Sequence, residues 1–499
     1  MANRDDRNYR GQRGESRGGQ RGRGPAGPRS GGGARKPRSK VSAARRTALD
    51  ACTLVRERDA FAHNVLEALF VDRTLSPEDR AFCTRLTMGV VQTYGTLDEV
   101  IDHVLDNPDD ISANVRDCLR ISAYEILFLG KDAYAAVDQG VELVRSIVPR
   151  AAGLANAVLR RVVKIADEFP FGDPQADLSA FARQQGFPLW LVQQFLKDLG
   201  DERGRAAAIA SNDQAPVFVA ANALRATDRE VFDLMASAHG KPSVVRFGQE
   251  EPLPGCFRLE DGHAITDGRV KRAFSQGKIL VSDAASQAVA NLTVQTAAEV
   301  AQRCNLGDAP VSMLEVGAGR ATKTILLQSN AQRILGRQLD LTTIDNQNFK
   351  TGLVRSRTQT YGVDVTKAIT GDATKLDREV GQRTFDVIFI DAPCSGLGTL
   401  RRHPEIRWRA NPQVITEASN IQLKMLKSAA PHVRVGGALV YATCTVAQEE
   451  NQLNVKRFLE SPEGAGFKLQ SIDGKAALAT RLGPGSCDAH FAVRMIRVE

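Results

Sequence analysis

The sequence predicts a multidomain protein with an all-α bundle at the N-terminus, a small α/β middle domain and a larger α/β domain at the C-terminus. Three observations support this division. Residues 41–168 carry apolar side chains at helical spacing, and residues 169–275 mix short helix and strand patterns after a connector rich in proline. Residues 276–499 alternate strand and helix patterns, which is typical of a doubly wound parallel sheet.

The first 40 residues differ from the rest of the chain in composition. They hold twelve Arg or Lys and three Asp or Glu, a net charge of +9, whereas the remainder holds 54 basic and 55 acidic residues, a net charge of −1. This Arg/Gly-rich segment has too few apolar residues to form a core, so we expect it to be disordered. Such a segment attracts phosphate backbones in a salt-dependent way. A solubilising extension is the alternative.

The composition of the whole chain is typical of a soluble globular protein, with 42% hydrophobic and 25% charged residues. No apolar run approaches the roughly 18 residues of a membrane span, and the N-terminus lacks the apolar core of a signal peptide. We therefore expect a cytoplasmic protein without membrane contact. The eight cysteines include no Cys-x-x-Cys pair, which argues against a structural zinc site.

Helix signals are clearest in residues 41–168. Ser76 is followed by Pro77, a combination of N-cap serine and first-turn proline that is typical of a helix start. Further helices are predicted over residues 115–128, 135–147 and 151–165, and the short loops between them favour a compact bundle. In the middle domain, short strands are predicted over residues 217–220 and 243–247.

Acidic residues end three successive predicted strands of the C-terminal domain. Glu315 precedes a Gly-x-Gly turn, where glycine lets a ligand approach the backbone closely. Asp345 is placed to accept hydrogen bonds from ribose hydroxyls, and Asp372 suits an adenine amino group. The three acids together suggest S-adenosylmethionine. A nucleotide-binding dehydrogenase is the alternative, but no downstream feature supports hydride transfer.

Two cysteines follow apolar runs that are predicted as buried parallel strands. Cys394 comes after residues 385–390, and Cys444 comes after residues 437–441. Ligands bind at the carboxyl ends of the strands in open α/β sheets, so we expect both thiols at that edge. Two thiols there suggest a covalent intermediate that one cysteine forms and the other helps to release. A buried, inert cysteine is the alternative for each.

Long runs around these cysteines resemble a known family. Asp391-Ala392-Pro393-Cys394-Ser395-Gly396, continuing to Trp408, and residues 435–445, followed by Glu449-Glu450-Asn451, resemble the signatures of the Sun/RsmB family of RNA (cytosine-5) methyltransferases. Residues 277–287 also resemble a segment of that family. Pieces of residues 41–168, such as 119–127 and 154–161, resemble a NusB-like RNA-binding domain. The resemblance runs from about residue 41 to the C-terminus.

The resemblance implies a Rossmann-like, S-adenosylmethionine-dependent methyltransferase domain that acts on RNA, with 16S ribosomal RNA or a small-subunit assembly intermediate as the partner. Cytosine C5 is too weak a nucleophile to attack a sulfonium methyl until a thiolate adds at C6. The resemblance implies that Cys444 is this nucleophile and that Cys394 assists its release. The target base must be unstacked to reach them. We also expect a monomer.

The same resemblance implies roles for further side chains. Asp391 holds the ring-nitrogen edge of the cytosine and stabilises the charged adduct, and Lys323 favours the thiolate or orients the base. A turn-forming acid and a helix-start lysine are the alternatives. The implied cofactor-binding residues are Glu315, Gly317, Ala318, Gly319, Asp345, Lys350, Asp372, Asp391 and Pro393.

The cofactor loop departs from the family, which usually carries Asp-Leu-Cys-Ala-Ala-Pro-Gly-Gly-Lys-Thr. Here Arg320-Ala321-Thr322 stands in place of Pro-Gly-Gly, although the acid-x-Gly-x-Gly pattern common to methyltransferases is present. A non-catalytic RNA-binding or ribosome-assembly protein that kept the fold is therefore an alternative. A transfer RNA cytosine-5 methyltransferase and a DNA cytosine methyltransferase are others.

Several side chains after the first cysteine motif have open roles. Arg401, Arg402 and Arg407 either contact RNA phosphates or are solvated. His403 is expected to shape a loop rather than carry protons, and Trp408 to pack rather than stack on a base.

Overall fold

The computed structural model describes residues 41–247 and 251–499. The predicted disordered tail, residues 1–40, lies outside these ranges. Within them, the elements follow the predicted order: helices first, then a small sheet with helices, then a large sheet with helices. This order confirms the predicted fold class, whereas the exact domain boundaries remain predictions.

Residues 41–168 are helical, as predicted. The Ser76 hydroxyl accepts a hydrogen bond from the backbone N–H of Asp79 at 3.1 Å, so the helix starts where the sequence signal lies. The Arg120 guanidinium donates at 2.7 Å to Asp117 of its own helix and at 2.7 Å to Asp98 of the preceding helix, and the second bond joins the two helices. The helices are α1 Ala43–Arg58, α2 Ala62–Asp72, α3 Pro77–Gln92, α4 Tyr94–Val104, α5 Ala113–Leu127, α6 Ala133–Ile147 and α7 Ala152–Ile165.

The connector continues as helices that support the catalytic part of the chain. These are α8 Leu178–Gln185, α9 Leu189–Leu199 and α10 Asp201–Ala210. Their apolar faces, including Phe181 and Phe195, share one core cluster with Leu397 and Leu400. The segment after the first cysteine motif therefore packs on these helices.

A small sheet follows, with the strand order β2-β3-β1-β4. The strand predicted over residues 217–220 is present, but the one predicted over residues 243–247 ends at Val244. The last strand lies beyond residue 275 and pairs with the first, so this sheet reaches into the predicted C-terminal domain. Its elements are β1 Val217–Ala221, α11 Asp228–Ser237, β2 Pro242–Val244, β3 Cys256–Leu259, α12 Gly268–Ser275 and β4 Ile279–Val281.

The large sheet has the strand order β10-β12-β9-β8-β5-β6-β7, and its short strand β11 pairs with β12. Strands β9, β8, β5, β6 and β7 are parallel, so their carboxyl ends share one edge. The elements are α13 Ala284–Arg303, β5 Ser312–Val316, α14 Thr322–Leu335, β6 Asp340–Asp345, α15 Asn348–Tyr361, β7 Lys367–Thr370, α16 Leu376–Val380, β8 Phe385–Asp391, α17 Ile406–Arg409, α18 Pro412–Ala429, β9 Val433–Thr443, α19 Gln452–Leu459, β10 Phe467–Gln470, β11 Leu478–Ala479 and β12 Phe491–Arg497.

One edge of this sheet differs from the predicted parallel arrangement. Strand β12 runs antiparallel to β9, with Phe491 opposite Thr443, and β10 runs antiparallel to β12. An apolar run predicts a buried strand but carries no information on its direction. The parallel half, which bears the predicted site, is as expected.

Candidate active site

The two cysteines meet at the carboxyl ends of adjacent strands β8 and β9. The Sγ atoms of Cys394 and Cys444 lie 3.1 Å apart, and the backbone N–H of Cys444 donates to Cys394 Sγ at 3.3 Å. Both residues are half-buried. Hydrogen bonding to Cys444 and burial hold the pKa of Cys394 well above its usual range, so Cys394 is a protonated thiol at neutral pH.

A buried carboxylate joins the two loops that bear the cysteines. Glu450 accepts hydrogen bonds from the backbone N–H of Ser395 at 2.9 Å and from the Ser395 hydroxyl. The side-chain amide of Gln422 donates at 2.9 Å both to Glu450 and to the Pro393 carbonyl. Sequence reasoning assigned Glu450 no role, and its only signal was the Glu-Glu-Asn run that follows the second cysteine motif. Its contacts connect the loop that bears Cys394 to the segment that follows Cys444.

An ion pair lies beside the thiols. Lys323 Nζ, at the start of α14, donates to Asp391 Oδ2 at 2.8 Å. Burial alone would lower the pKa of Lys323, but attraction to Asp391 outweighs it and leaves the pKa raised. Lys323 is therefore a cation at neutral pH.

A cavity of about 440 Å³ opens onto these groups. Cys394, Cys444, Asp391 and Lys323 all line it, so the structure brings together the four residues predicted to be catalytic. Two histidines that carried no predicted chemical role, His403 and His490, also line it. Burial lowers their pKa values to about 4 and about 3, so both are neutral at physiological pH.

A second cavity, of about 210 Å³, adjoins the first. The two share Asp391 and Pro393 as lining residues, so a ligand in one lies next to a ligand in the other. Of the predicted cofactor-binding residues, the lining includes Gly317, Gly319, Asp345, Lys350, Asp372, Asp391 and Pro393.

Two other predicted cofactor residues lie elsewhere. Glu315 is fully buried and accepts a hydrogen bond from the Thr324 hydroxyl at 2.7 Å, and burial raises its pKa to about 8. Ala318 is also buried and does not line the cavity. Glu315 therefore holds the start of α14 through Thr324, and it does not line the cavity itself.

The second cavity fits an adenosyl ligand. Asp345 Oδ2 accepts a hydrogen bond from the backbone N–H of Gly319 at 3.0 Å, which draws the glycine turn over the strand end. A Cβ on Gly317 would overlap the Asp391 carbonyl oxygen, so only glycine permits this close approach. Carboxylates at the ends of β6 and β7, beside a glycine turn, are the groups that hold ribose and base.

Replacing Asp345 with alanine is expected to weaken S-adenosylmethionine binding about 10-fold or more, because a charged hydrogen-bond acceptor is lost and the Gly319 turn is released. Isothermal titration calorimetry measures this. Asp340→Ala, at the opposite end of β6, is the matched control and should bind like the wild type. Equal affinities for both variants would contradict this use of the cavity.

Family models match both ends of the described structure. One described as 16S rRNA methyltransferase RsmB/F matches residues 308–489, and the NusB family model matches residues 42–164. A methyltransferase of Mycobacterium tuberculosis is 32% identical over 428 residues, which cover 84% of this chain and 86% of that protein. The chain belongs to the RsmB/F methyltransferase family.

Other similar proteins agree with this membership. Ribosomal RNA small subunit methyltransferase B of Escherichia fergusonii is 27% identical over 458 residues, covering 91% of the chain and 98% of that protein. The crystal structure of a protein named PH0851 has the same fold, with a TM-score of 0.72, 21% identity and coverage of 91% and 98%. The RsmB/F chain is thus an S-adenosylmethionine-dependent ribosomal RNA methyltransferase, as predicted.

In this RsmB/F protein, the glycines of the cofactor loop stand at other positions than in the usual family sequence. Ala321 stands where the family carries the first glycine of Pro-Gly-Gly, yet its φ is 61°, a left-handed conformation that favours glycine. Gly317, where the family usually has cysteine, has φ 88°. At residue 321, this loop therefore has the left-handed backbone that favours glycine, although the residue is alanine.

The arginines near the first cysteine motif make structural contacts in this RsmB/F protein. Arg401 and Arg407 are buried, so the solvated alternative is wrong for these two, whereas a contact with RNA phosphates stays a prediction. Arg401 and Arg402 donate to the Asp488 carboxylate at 2.8 and 2.7 Å. Arg407 is fully buried, and it donates to the backbone carbonyls of Gly186 and Ser211. Their partners lie far away in sequence, which is why local patterns did not reveal them.

Trp408 packs, as expected. Its ring lies against Gly95 so closely that a Cβ there would overlap it, and its Nε1–H donates to the Gln92 carbonyl at 3.1 Å.

In the described ranges, no helix is long and apolar enough to cross a membrane. Among those same residues, no cluster of three or more His, Cys, Asp or Glu is arranged to hold a metal ion.

Proposed function

We propose that this protein methylates C5 of a cytosine in 16S ribosomal RNA through a covalent adduct between Cys444 and C6. The observation that carries the proposal is the Sγ–Sγ distance of 3.1 Å between two cysteines in one cavity. The Lys323–Asp391 ion pair faces the same cavity, and the wall formed by Asp391 and Pro393 is shared with the cofactor cavity.

The first step is addition of the Cys444 thiolate to C6. The new S–C6 bond pushes an electron pair toward C5 and the ring nitrogen, which makes C5 nucleophilic. Asp391 holds the ring-nitrogen edge, and the Lys323 cation beside it stabilises the negative charge that develops. The neutral His403 and His490 add no competing charge to the cavity.

S-adenosylmethionine, when bound, supplies the electrophilic methyl group that C5 attacks. Afterwards C5 carries both a methyl group and a proton. Cys394 gives its thiol proton to the Cys444 sulfur as the S–C6 bond breaks, and it takes up the C5 proton in return. Cys394 is then a thiol again, and Cys444 loses the proton it received to solvent and regains its thiolate, which accounts for the one proton that the methyl group replaces at C5. The short distance between the two sulfur atoms supports this exchange.

The substrate assignment rests on the relatives. One of them is named ribosomal RNA small subunit methyltransferase B, and the matched family description names 16S rRNA. The helical part, which matches the NusB family model, is the first candidate to bind the RNA outside the cavity. A monomeric state and a cytoplasmic location remain predictions.

Mass spectrometry of digested RNA tests the proposal. The protein is incubated with S-adenosylmethionine and either 16S ribosomal RNA or transfer RNA, and we expect 5-methylcytidine in the 16S sample alone. Methylated nucleosides of another kind would contradict C5 chemistry, and methylation of transfer RNA alone would contradict the substrate. If calorimetry at millimolar S-adenosylmethionine shows no binding, the non-catalytic alternative holds.

A further inference from the structure

An aromatic cluster lies at the rim of the catalytic cavity and is built from two parts of the chain. It consists of Phe61 and His63 from the helical part and His403 from the catalytic part, and we name it the rim cluster. The His403 ring centroid lies 5.0 Å from that of Phe61 and 5.1 Å from that of His63. Because His403 also lines the cavity with both cysteines, the rim cluster continues its wall outward.

Phe61 occupies a position for which its side chain is poorly suited. It is the N-cap of α2, where Ser, Thr, Asp or Asn would satisfy a free backbone N–H, and it makes no side-chain capping bond. Its side chain is nevertheless 42% exposed. Neither helix capping nor full burial therefore accounts for an aromatic side chain here, and positions that break a local rule in this way are often functional.

The position of Phe61 is fixed by contacts on both sides of it. Arg409 donates to the Ala60 carbonyl at 2.8 Å and forms an ion pair with Asp59 at 2.7 Å. The turn that carries Phe61 is therefore attached to the segment that follows Cys394. These contacts place the backbone that carries the Phe61 ring beside the segment that leads to the cavity.

The rim also carries positive charge. Arg320, the first residue of the altered step in the cofactor loop, is exposed. It precedes Thr322 and Lys323, which both line the catalytic cavity together with His403, so its side chain lies close to the mouth of this cavity. An exposed cation beside neutral aromatic rings is the combination that binds single-stranded nucleic acid, with bases stacked on rings and the phosphate near the cation.

We propose that the rim cluster is a stacking subsite for the base adjacent to the target cytosine, with Phe61 as its main platform and Arg320 near the connecting phosphate. The inference rests on the proposed function, since it takes RNA as the substrate of the cavity. It makes the helical part a direct contributor to target selection, beyond any general affinity for RNA.

Substitution of Phe61 tests the subsite with a short single-stranded RNA that contains the target cytosine. Phe61→Ala is expected to raise KM about 5- to 150-fold with little change in kcat, because one base loses its stacking partner. Phe61→Trp should keep the wild-type KM, whereas Phe61→Leu, which is apolar but has no ring, should resemble the alanine variant. Tyr134→Ala is the matched control, since Tyr134 is an 81% exposed aromatic residue of the same helical part.

An abasic nucleotide on either side of the cytosine locates the stacked base. At one of the two positions, the abasic nucleotide should raise the KM of the wild type as much as the Phe61→Ala substitution does. The same abasic RNA should not raise the KM of Phe61→Ala any further. A KM within twofold of the wild type for Phe61→Ala, or additive losses at both positions, would overturn the proposal. Fluorescence anisotropy makes the same comparison by binding alone, so the subsite is tested even if no methyl reaches C5.

Discussion

Replacing Cys444 with alanine is expected to abolish methyl transfer to RNA, with activity lower by roughly 10⁴-fold or more. Without the thiolate, no bond forms at C6 and C5 stays too weak a nucleophile to take the methyl group. Transfer of tritiated methyl from S-adenosylmethionine to RNA measures the effect. Because Cys444 is half-buried and its side chain is small, the fold should be preserved.

The control for this variant is Cys304→Ala. Cys304 is another half-buried free cysteine, but it follows α13 and lines neither the catalytic nor the cofactor cavity. It should leave the rate unchanged, and both variants should bind S-adenosylmethionine like the wild type in calorimetry. Wild-type methylation by Cys444→Ala would exclude the proposed adduct.

Replacing Cys394 with alanine is expected to trap the protein on its RNA. The Cys444–C6 bond still forms and the methyl group still arrives, but the proton exchange that releases the product loses its partner thiol at 3.1 Å. Incubation with RNA and S-adenosylmethionine should therefore give a slowly migrating protein–RNA band on a denaturing gel, with turnover lower by about 100-fold or more.

The double variant Cys394→Ala and Cys444→Ala supplies the control, since it should give no such band. Omitting S-adenosylmethionine should reduce the band if release fails mainly after methyl transfer. Normal turnover without any trapped species in Cys394→Ala would show that the second thiol has no part in release.

The parts of this site that follow strand ends were predictable from sequence. A buried apolar run that stops at an acid or a cysteine places that side chain at the ligand-binding edge of a parallel sheet. Cys394, Cys444 and Asp391 all meet there, at the ends of β8 and β9. Lys323 was predictable only by likeness to a family motif, because a lysine at a helix start is common.

The parts that depend on distant partners were not predictable. Glu450 holds the cysteine loops through Ser395, which lies 55 residues away, and Arg407 bonds to a carbonyl 221 residues away at Gly186. Local periodicity and the spacing of nearby residues carry no information on contacts between residues so far apart in the sequence. The antiparallel direction of β12 was missed for the same reason, since its neighbour β9 is chosen by packing rather than by local pattern.

The contact of Trp408 with Gln92 and Gly95 bears on modularity. The segment that follows Cys394 contains Trp408 and ends at Arg409. Arg409 donates a hydrogen bond to the Ala60 carbonyl and forms an ion pair with Asp59. The segment that follows Cys394 thus packs against the helical part, and this packing supports its conformation. A chain shortened to its methyltransferase half would expose the Trp408 ring and free the loop. The two halves are consequently one catalytic unit, and exchanging the helical half for that of a distant relative would disturb the chemistry as well as the choice of RNA.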